Sequence, residues 1–200
     1  PETGPDLLPL PGQRIAIARD AAFGFSYEHL MAGWRDAGAK IMNFSPLADE
    51  APPLNADFIF LPGGYPELHL PELSRAGNFL GGLRAAAERG TRIYGECGGY
   101  MVLGETIIDA EGTSYPMAGL LALETSFAKR KLHLGYRRMT PLAQAWPGLE
   151  PVTGHEFHYT TATRAEGDPL FAVSDAAGRD LGTTGLVRGS VAGSYAHIIA

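Results

Sequence analysis

The single cysteine of this chain, Cys97, lies in Gly95-Glu96-Cys97-Gly98-Gly99, after the apolar run Arg92-Ile93-Tyr94 and before Tyr100 to Leu103. A nucleophile in that place occupies a sharp strand-to-helix turn, where crowded backbone demands small neighbours. A helix N-terminus presents free N–H groups and a partial positive charge. Both favour thiolate over thiol, so the expected pKa lies below the ordinary value of about 8.5. The Gly98 N–H would face an oxyanion formed on the attacked carbon. A lone cysteine is otherwise a small buried hydrophobe, and here the three flanking glycines weigh for the nucleophile. One sulfur forms no internal disulfide and no multi-thiolate metal site, which points to a reducing compartment, the cytoplasm.

A second Gly-rich stretch, Pro62-Gly63-Gly64-Tyr65-Pro66-Glu67, follows another apolar run. Glycines there let backbone N–H groups approach a ligand. If the two preceding strands are neighbours, Gly64 and Gly98 can share one oxyanion. No Gly-Lys-Ser or Gly-Lys-Thr follows, so this is not a phosphate loop. A thiol nucleophile needs a base, and the chain has six histidines. Small and apolar residues from Val191 to Ala196 read as a buried strand that delivers His197 at its end. His155 and His158, three apart, face opposite ways on a regular strand. His29, His69 and His133 read as surface or structural. No histidine pair has the zinc-binding i, i+4 spacing, and no metal is expected in this domain.

The elements that must position these groups alternate. Arg14 to Arg19, Lys40 to Phe44, Asp57 to Leu61 and Arg92 to Tyr94 read as buried strands. Ser26 is the expected N-cap of a helix with Tyr27, Leu30, Met31 and Trp34 on one face, stopped by Gly38. A long helix is expected from about Glu72 to Arg89, closed by Gly90. Repeated strand–helix–strand order predicts a doubly wound α/β fold, its mainly parallel sheet covered on both faces. Such sheets place their sites at the carboxyl ends of strands. After Gly104, strands such as His155 to Thr160 and Leu186 to Val191 look antiparallel and are expected to extend the same sheet. Arg188-Gly189-Ser190 reads as a hairpin tip.

Composition agrees with a soluble globular chain: 200 residues, 45% hydrophobic and 19% charged. No run approaches the roughly 18 apolar residues of a membrane helix. Sixteen basic and 22 acidic side chains leave a charge of −6, which argues against a nucleic-acid partner. Residues 1–13, with four prolines and two glycines, read as a linker from a preceding domain, and 14–200 as the domain itself.

Together these motifs resemble a class I, triad-type glutamine amidotransferase. More narrowly, they resemble the C-terminal glutaminase domain of the cobyrinic and hydrogenobyrinic acid a,c-diamide synthases. The matching segments include Arg14 to Asp20, Leu61 to Leu68, Tyr94 to Gly99, Tyr115 to Gly119, Lys129-Arg130, Leu134 to Arg137, Gly154-His-Glu-Phe-His-Tyr159, and Val187 to Gly189 leading to His197. The resemblance implies that Cys97 attacks the side-chain amide of L-glutamine to form a thioester, and that His197 is base and then acid. It gives the oxyanion hole to Gly64 and Gly98 and the glutamine carboxylate to Arg130. It also implies a preceding synthetase domain that uses ATP and magnesium to activate the a and c acetate carboxylates of a corrinoid. The C-terminal segment from Val191 leans toward the cobalt-free hydrogenobyrinate. Triad enzymes carry His-x-Glu, whose carboxylate orients the imidazole; here that position holds Ile199. Glu156 is one candidate for the role and Glu96 a weaker one. A cysteine hydrolase of the DJ-1/PfpI type shares the sheet and the cysteine turn, but its mid-chain histidine is not matched. A catalytically dead docking module is the remaining alternative.

Overall fold

The computed structural model describes residues 8–129 and 131–199. In chain order its elements are β1 Arg14–Ala18, α1 Glu28–Asp36, β2 Lys40–Phe44, β3 Phe58–Leu61, α2 Leu70–Arg75, α3 Gly77–Glu88, β4 Arg92–Glu96, α4 Gly98–Leu103, β5 Thr106–Ile108, β6 Ser114–Pro116, β7 Ala122–Ser126, β8 His133–Pro141, β9 Val152–His158, β10 Thr161–Glu166, β11 Asp168–Ser174, β12 Asp180–Arg188, β13 Val191–Ser194 and β14 His197–Ile198.

The strands β1, β3 and β4 carry apolar residues on both faces because both faces are covered. Along β3, Phe58 and Phe60 pack with Ile15, Trp34 and Trp146 on one side. Ile59 and Leu61 pack with Leu80, Leu83 and Met101 on the other. Strands β2, β1, β3, β4 and β13 run parallel in that order. The expected antiparallel extension follows in the same sheet as β12, β11, β8, β9 and β14, giving ten strands. β12 and β13 pair antiparallel across the hairpin at Gly189 (φ 58°), where a positive φ suits glycine.

Three features differ from the sequence reading. α1 starts one residue later, with Tyr27 at the N-cap and no side-chain cap bond, although Leu30, Met31 and Trp34 are buried as expected. The long helix is two helices broken at Ala76 (ψ 76°). Asp49 takes the Phe79 N–H at 2.9 Å, satisfying a free donor in the first turn of α3. Finally, β10, β7, β5 and β6 form a separate four-stranded sheet. β10 and β11 are consecutive yet belong to different sheets, and Gly167 between them (φ 134°) makes the change of direction accessible.

The expected linker lies partly outside the described residues. Its described end has no helix or strand, and it packs on the domain. Leu8 is buried in the Trp146 cluster, and the Trp146 Nε1–H donates to the Pro9 carbonyl at 2.8 Å. Among the described residues, no helix is long and apolar enough to cross a membrane.

Candidate active site

The carboxyl ends of β3, β4 and β13 meet at one place, and Cys97 stands there. It is the residue between β4 and α4, with φ 45° and ψ −103°. A non-glycine residue in that region is strained, and the fold holds it by bonds on both sides. The Cys97 N–H donates to Ser194 O at 2.9 Å, and the Cys97 carbonyl accepts the Met101 N–H at 3.0 Å. The glycines follow from crowding at this turn. A Cβ on Gly99 would overlap the Leu61 carbonyl, and one on Gly95 would come within 2.8 Å of the Gly99 and Tyr100 backbone.

Gly98 and Gly64 lie against each other, as expected for neighbouring strands. A Cβ on Gly98 would stand 3.2 Å from the Gly64 nitrogen, and one on Gly64 would overlap the Ala22 carbonyl. The Gly98 N–H faces the Cys97 sulfur. Gly64 and Cys97 line one narrow cavity of about 40 Å³ with Tyr65, Glu67 and His158. Against the expectation of a depressed pKa, burial pushes the thiol up to about 12, and the Gly98 N–H offsets only part of that. With its pKa raised that far, the Cys97 side chain rests as a thiol near pH 7.

His197 arrives from the far end of the chain, as its sequence position suggested. β13 runs beside β4 with Ser194 opposite Glu96, and after two further residues β14 begins at His197. The imidazole packs against Gly63, where a Cβ would overlap its Cε1 atom. It lines a cavity of about 450 Å³ with Tyr27, Leu134 and His155. Phe25 and Phe157 line both this cavity and the cysteine well, so the two adjoin. Burial, with His155 nearby, lowers the His197 pKa to about 4, so the ring is neutral near pH 7.

The two histidines of β9 do face opposite ways. His155 lies opposite His197 in the β9–β14 ladder, with ring centroids 5.0 Å apart. The Tyr27 hydroxyl fixes it at 2.9 Å. His158 stacks instead between His133 and Tyr195, at 4.7 and 3.9 Å.

The two candidate carboxylates separate clearly. Glu156 is bound by Arg137, whose Nη2 and Nε donate to one carboxylate oxygen at 2.7 and 3.0 Å. Strand alternation sends it to the face opposite His155, so the structure does not bring Glu156 to His197. Glu96 is the buried carboxylate beside the imidazole, with Oε2 3.8 Å from Nδ1. Arg130 lies outside the described residues. Sequence reasoning missed Gly63 and the Tyr27–His155 pair. A Gly-Gly pair gave a signal for the first; nothing local marked the second.

Comparison with known proteins places the chain in a family. A hydrogenobyrinate a,c-diamide synthase of Sinorhizobium sp is 63% identical over 195 residues, covering 96% of this chain and 44% of the relative. One from Rhodobacter capsulatus is 53% identical over 193 residues, covering 95% and 44%. The chain thus spans less than half the length of these curated relatives. Among solved structures, PurLQS from Thermotoga maritima matches with a TM-score of 0.59 at 19% identity, over 92% of this chain and 86% of that one. The Trypanosoma brucei CTPS glutaminase domain with bound acivicin matches with a TM-score of 0.53 at 13% identity, over 93% and 86%. These likenesses show the fold. With residues 14–200 matching its domain throughout, the chain belongs to the CobB/CobQ-like glutamine amidotransferase family.

Proposed function

We propose that this chain is the glutaminase part of a hydrogenobyrinate a,c-diamide synthase. In this reading it releases ammonia from L-glutamine and delivers it for ATP-dependent amidation of the a and c acetate carboxylates of a cobalt-free corrinoid. The observation that carries the chemistry is the strained Cys97 turn, with the Gly98 N–H on the sulfur, Gly64 in the same well and His197 lining the cavity that adjoins that well. The 63% identity to a protein of that name supports the substrate.

The chemistry runs as a nucleophilic displacement in two halves. His197 takes the thiol proton as the sulfur attacks the amide carbon. The Gly64 and Gly98 N–H groups stabilise the resulting oxyanion, a contribution of about 3–4 kcal/mol per well-placed donor. The imidazolium gives its proton to the leaving nitrogen, ammonia departs, and a thioester remains. Water, deprotonated by the same imidazole, then hydrolyses the thioester to glutamate and free thiol. Arg130 is the cation assigned to the glutamine carboxylate. The well at Cys97, about 40 Å³, opens beside the cavity of about 450 Å³ at His197, with Phe25 and Phe157 lining both. In this reading ATP and magnesium are used by a preceding synthetase half.

The test is Cys97→Ala in the full-length synthase, assayed with glutamine and with ammonium as nitrogen source. Glutamine-driven amidation should vanish while ammonia-driven amidation persists. Equal loss of both would refute the assigned role.

A further inference from the structure

We propose that Glu96 is the positioning residue for His197, holding the imidazole from beside the nucleophile where triad enzymes use a carboxylate two residues past the histidine. This rests on the Cys97–His197 reading above.

The side chain of Glu96 lies beside the imidazole and reaches it from the end of β4. It ends β4, and residue and partner are both nearly solvent-free, at 2% exposure for the Glu96 side chain and 4% for that of His197. One carboxylate oxygen accepts the Ile198 N–H at 3.0 Å. The other lies 3.8 Å from His197 Nδ1, a nitrogen that is buried and has no hydrogen-bond partner. β13 leaves β4 after Ser194, and the Glu96 side chain ties β14 back to β4 across that gap. It therefore sets both the backbone that carries the ring and the surroundings of the ring nitrogen facing away from its task. Ile199 has no group for this, and its N–H and carbonyl are already taken by Thr153 O and His29 Nε2.

The contact at 3.8 Å is longer than a hydrogen bond, as catalytic contacts often are before substrate binds. Its value arises during the reaction. When the thiol proton moves from Sγ to Nε2, the ring becomes a buried cation, which is costly without a nearby counter-charge. Among the described residues, Glu96 is the carboxyl group within ion-pair distance of that ring; burial raises its pKa to about 8, so the ionised form that supplies the counter-charge is the minor one at pH 7 and grows as pH rises toward 8. Glu156 is committed to Arg137. Holding the Nδ1 proton toward Glu96 also leaves Nε2 as the basic nitrogen.

Other titratable groups surround the pair: Tyr94 and Cys97 flank Glu96 in sequence, Tyr27 approaches from the loop before α1, and His155 from β9. Any pH profile reports this whole set, so the decisive comparison is parent against variant.

The experiment uses Glu96→Gln in the full-length synthase, which keeps an oxygen for the Ile198 N–H but cannot carry the charge. Glutamine-driven turnover should fall by about 10²- to 10⁴-fold, the range for losing the orienter of a catalytic histidine. The KM for glutamine should stay within about threefold, and the acid limb of the kcat profile should shift. Ammonia-driven amidation serves as the control for folding. A kcat within threefold of the parent with an unchanged profile would overturn the proposal. So would a loss confined to KM, or an equal loss of ammonia-driven amidation, which would make Glu96 purely structural. If Cys97→Ala abolishes glutamine use while Glu96→Gln does not, only this inference falls. If Cys97→Ala leaves glutamine use intact, the underlying reading falls instead.

Discussion

The resting protonation state of Cys97 is the most exposed claim, because the helix-terminus argument and the burial argument point opposite ways. In the folded protein the thiol pKa is pushed up to about 12. In the unfolded chain it returns to about 8.5. At pH 7 those values put roughly one molecule in 10⁵ and one in 30 in the thiolate form, a ratio of about 3,000. Alkylation follows the thiolate, so native Cys97 should react with iodoacetamide at least about 10³-fold more slowly than the same cysteine in urea. The narrow well can only widen that gap. Because Cys97 is the chain's one cysteine, total label measured by mass spectrometry reports this site alone. The native rate should climb about tenfold per pH unit from pH 6 to 10 without levelling. An inflection below pH 8, or a native rate equal to the denatured one, would refute the reasoning and restore the expected thiolate. The catalytic consequence is specific. His197 is lowered to about 4 while the thiol is raised, so the pair rests as neutral thiol and neutral imidazole. In the proposed reaction, proton transfer then accompanies attack on the amide rather than preceding it.

Two further outcomes follow from the same contacts. Gly63→Ala places a methyl where the His197 ring now lies, and should cut glutamine-driven amidation by about 100-fold or more while sparing ammonia-driven amidation, since a misplacement of about 1 Å costs that much; a variant with parental glutamine use would show that the ring is not packed on Gly63. Stability should peak near pH 6.5. Below that pH, His158 and His197, both lowered to about 4 chiefly by burial, resist protons that the unfolded chain takes up, so acid costs stability progressively down to about pH 4. Glu96, raised by burial to about 8, works the other way: its contribution is full below the unfolded carboxylate pKa and is lost as pH rises to about 8. Two groups against one give a net gain of about 1.4 kcal/mol per unit from about pH 4.5 to 6.5, and one group alone gives a net loss of about the same slope from 6.5 to 8. Thermal midpoints that rise monotonically from pH 5 to 8 would contradict the buried protonated Glu96.

How much of this was legible in the residues depended on whether the constraint was local. The buried parallel strands could be read because burial on both faces demands apolar residues throughout, as in Phe58–Leu61. The Cys97 turn could be read because backbone crowding there admits only glycine at 95 and 99, and that requirement appears as a motif. The break of the long helix at Ala76 could not be read, because its cause is a side chain 30 residues away: Asp49 captures the Phe79 N–H and ends one helix by starting another. The second sheet was hidden for a related reason. Alternation predicts a strand but not its neighbour, and only the turn at Gly167 separates β10 from the sheet that holds β11.

The third member of the site shows this limit most sharply. Ile199 announced that the usual carboxylate was gone, which left Glu156, in a motif beside a histidine, as one candidate and Glu96 as a weaker one. What disqualifies Glu156 is its strand phase and Arg137, a residue 19 positions earlier that takes its charge. What qualifies Glu96 is the departure of β13 from β4, which opens a gap that a glutamate side chain spans and an isoleucine at 199 cannot. Position in the chain made Glu96 look like a bystander of Cys97, whereas its position in the fold makes it the neighbour of His197.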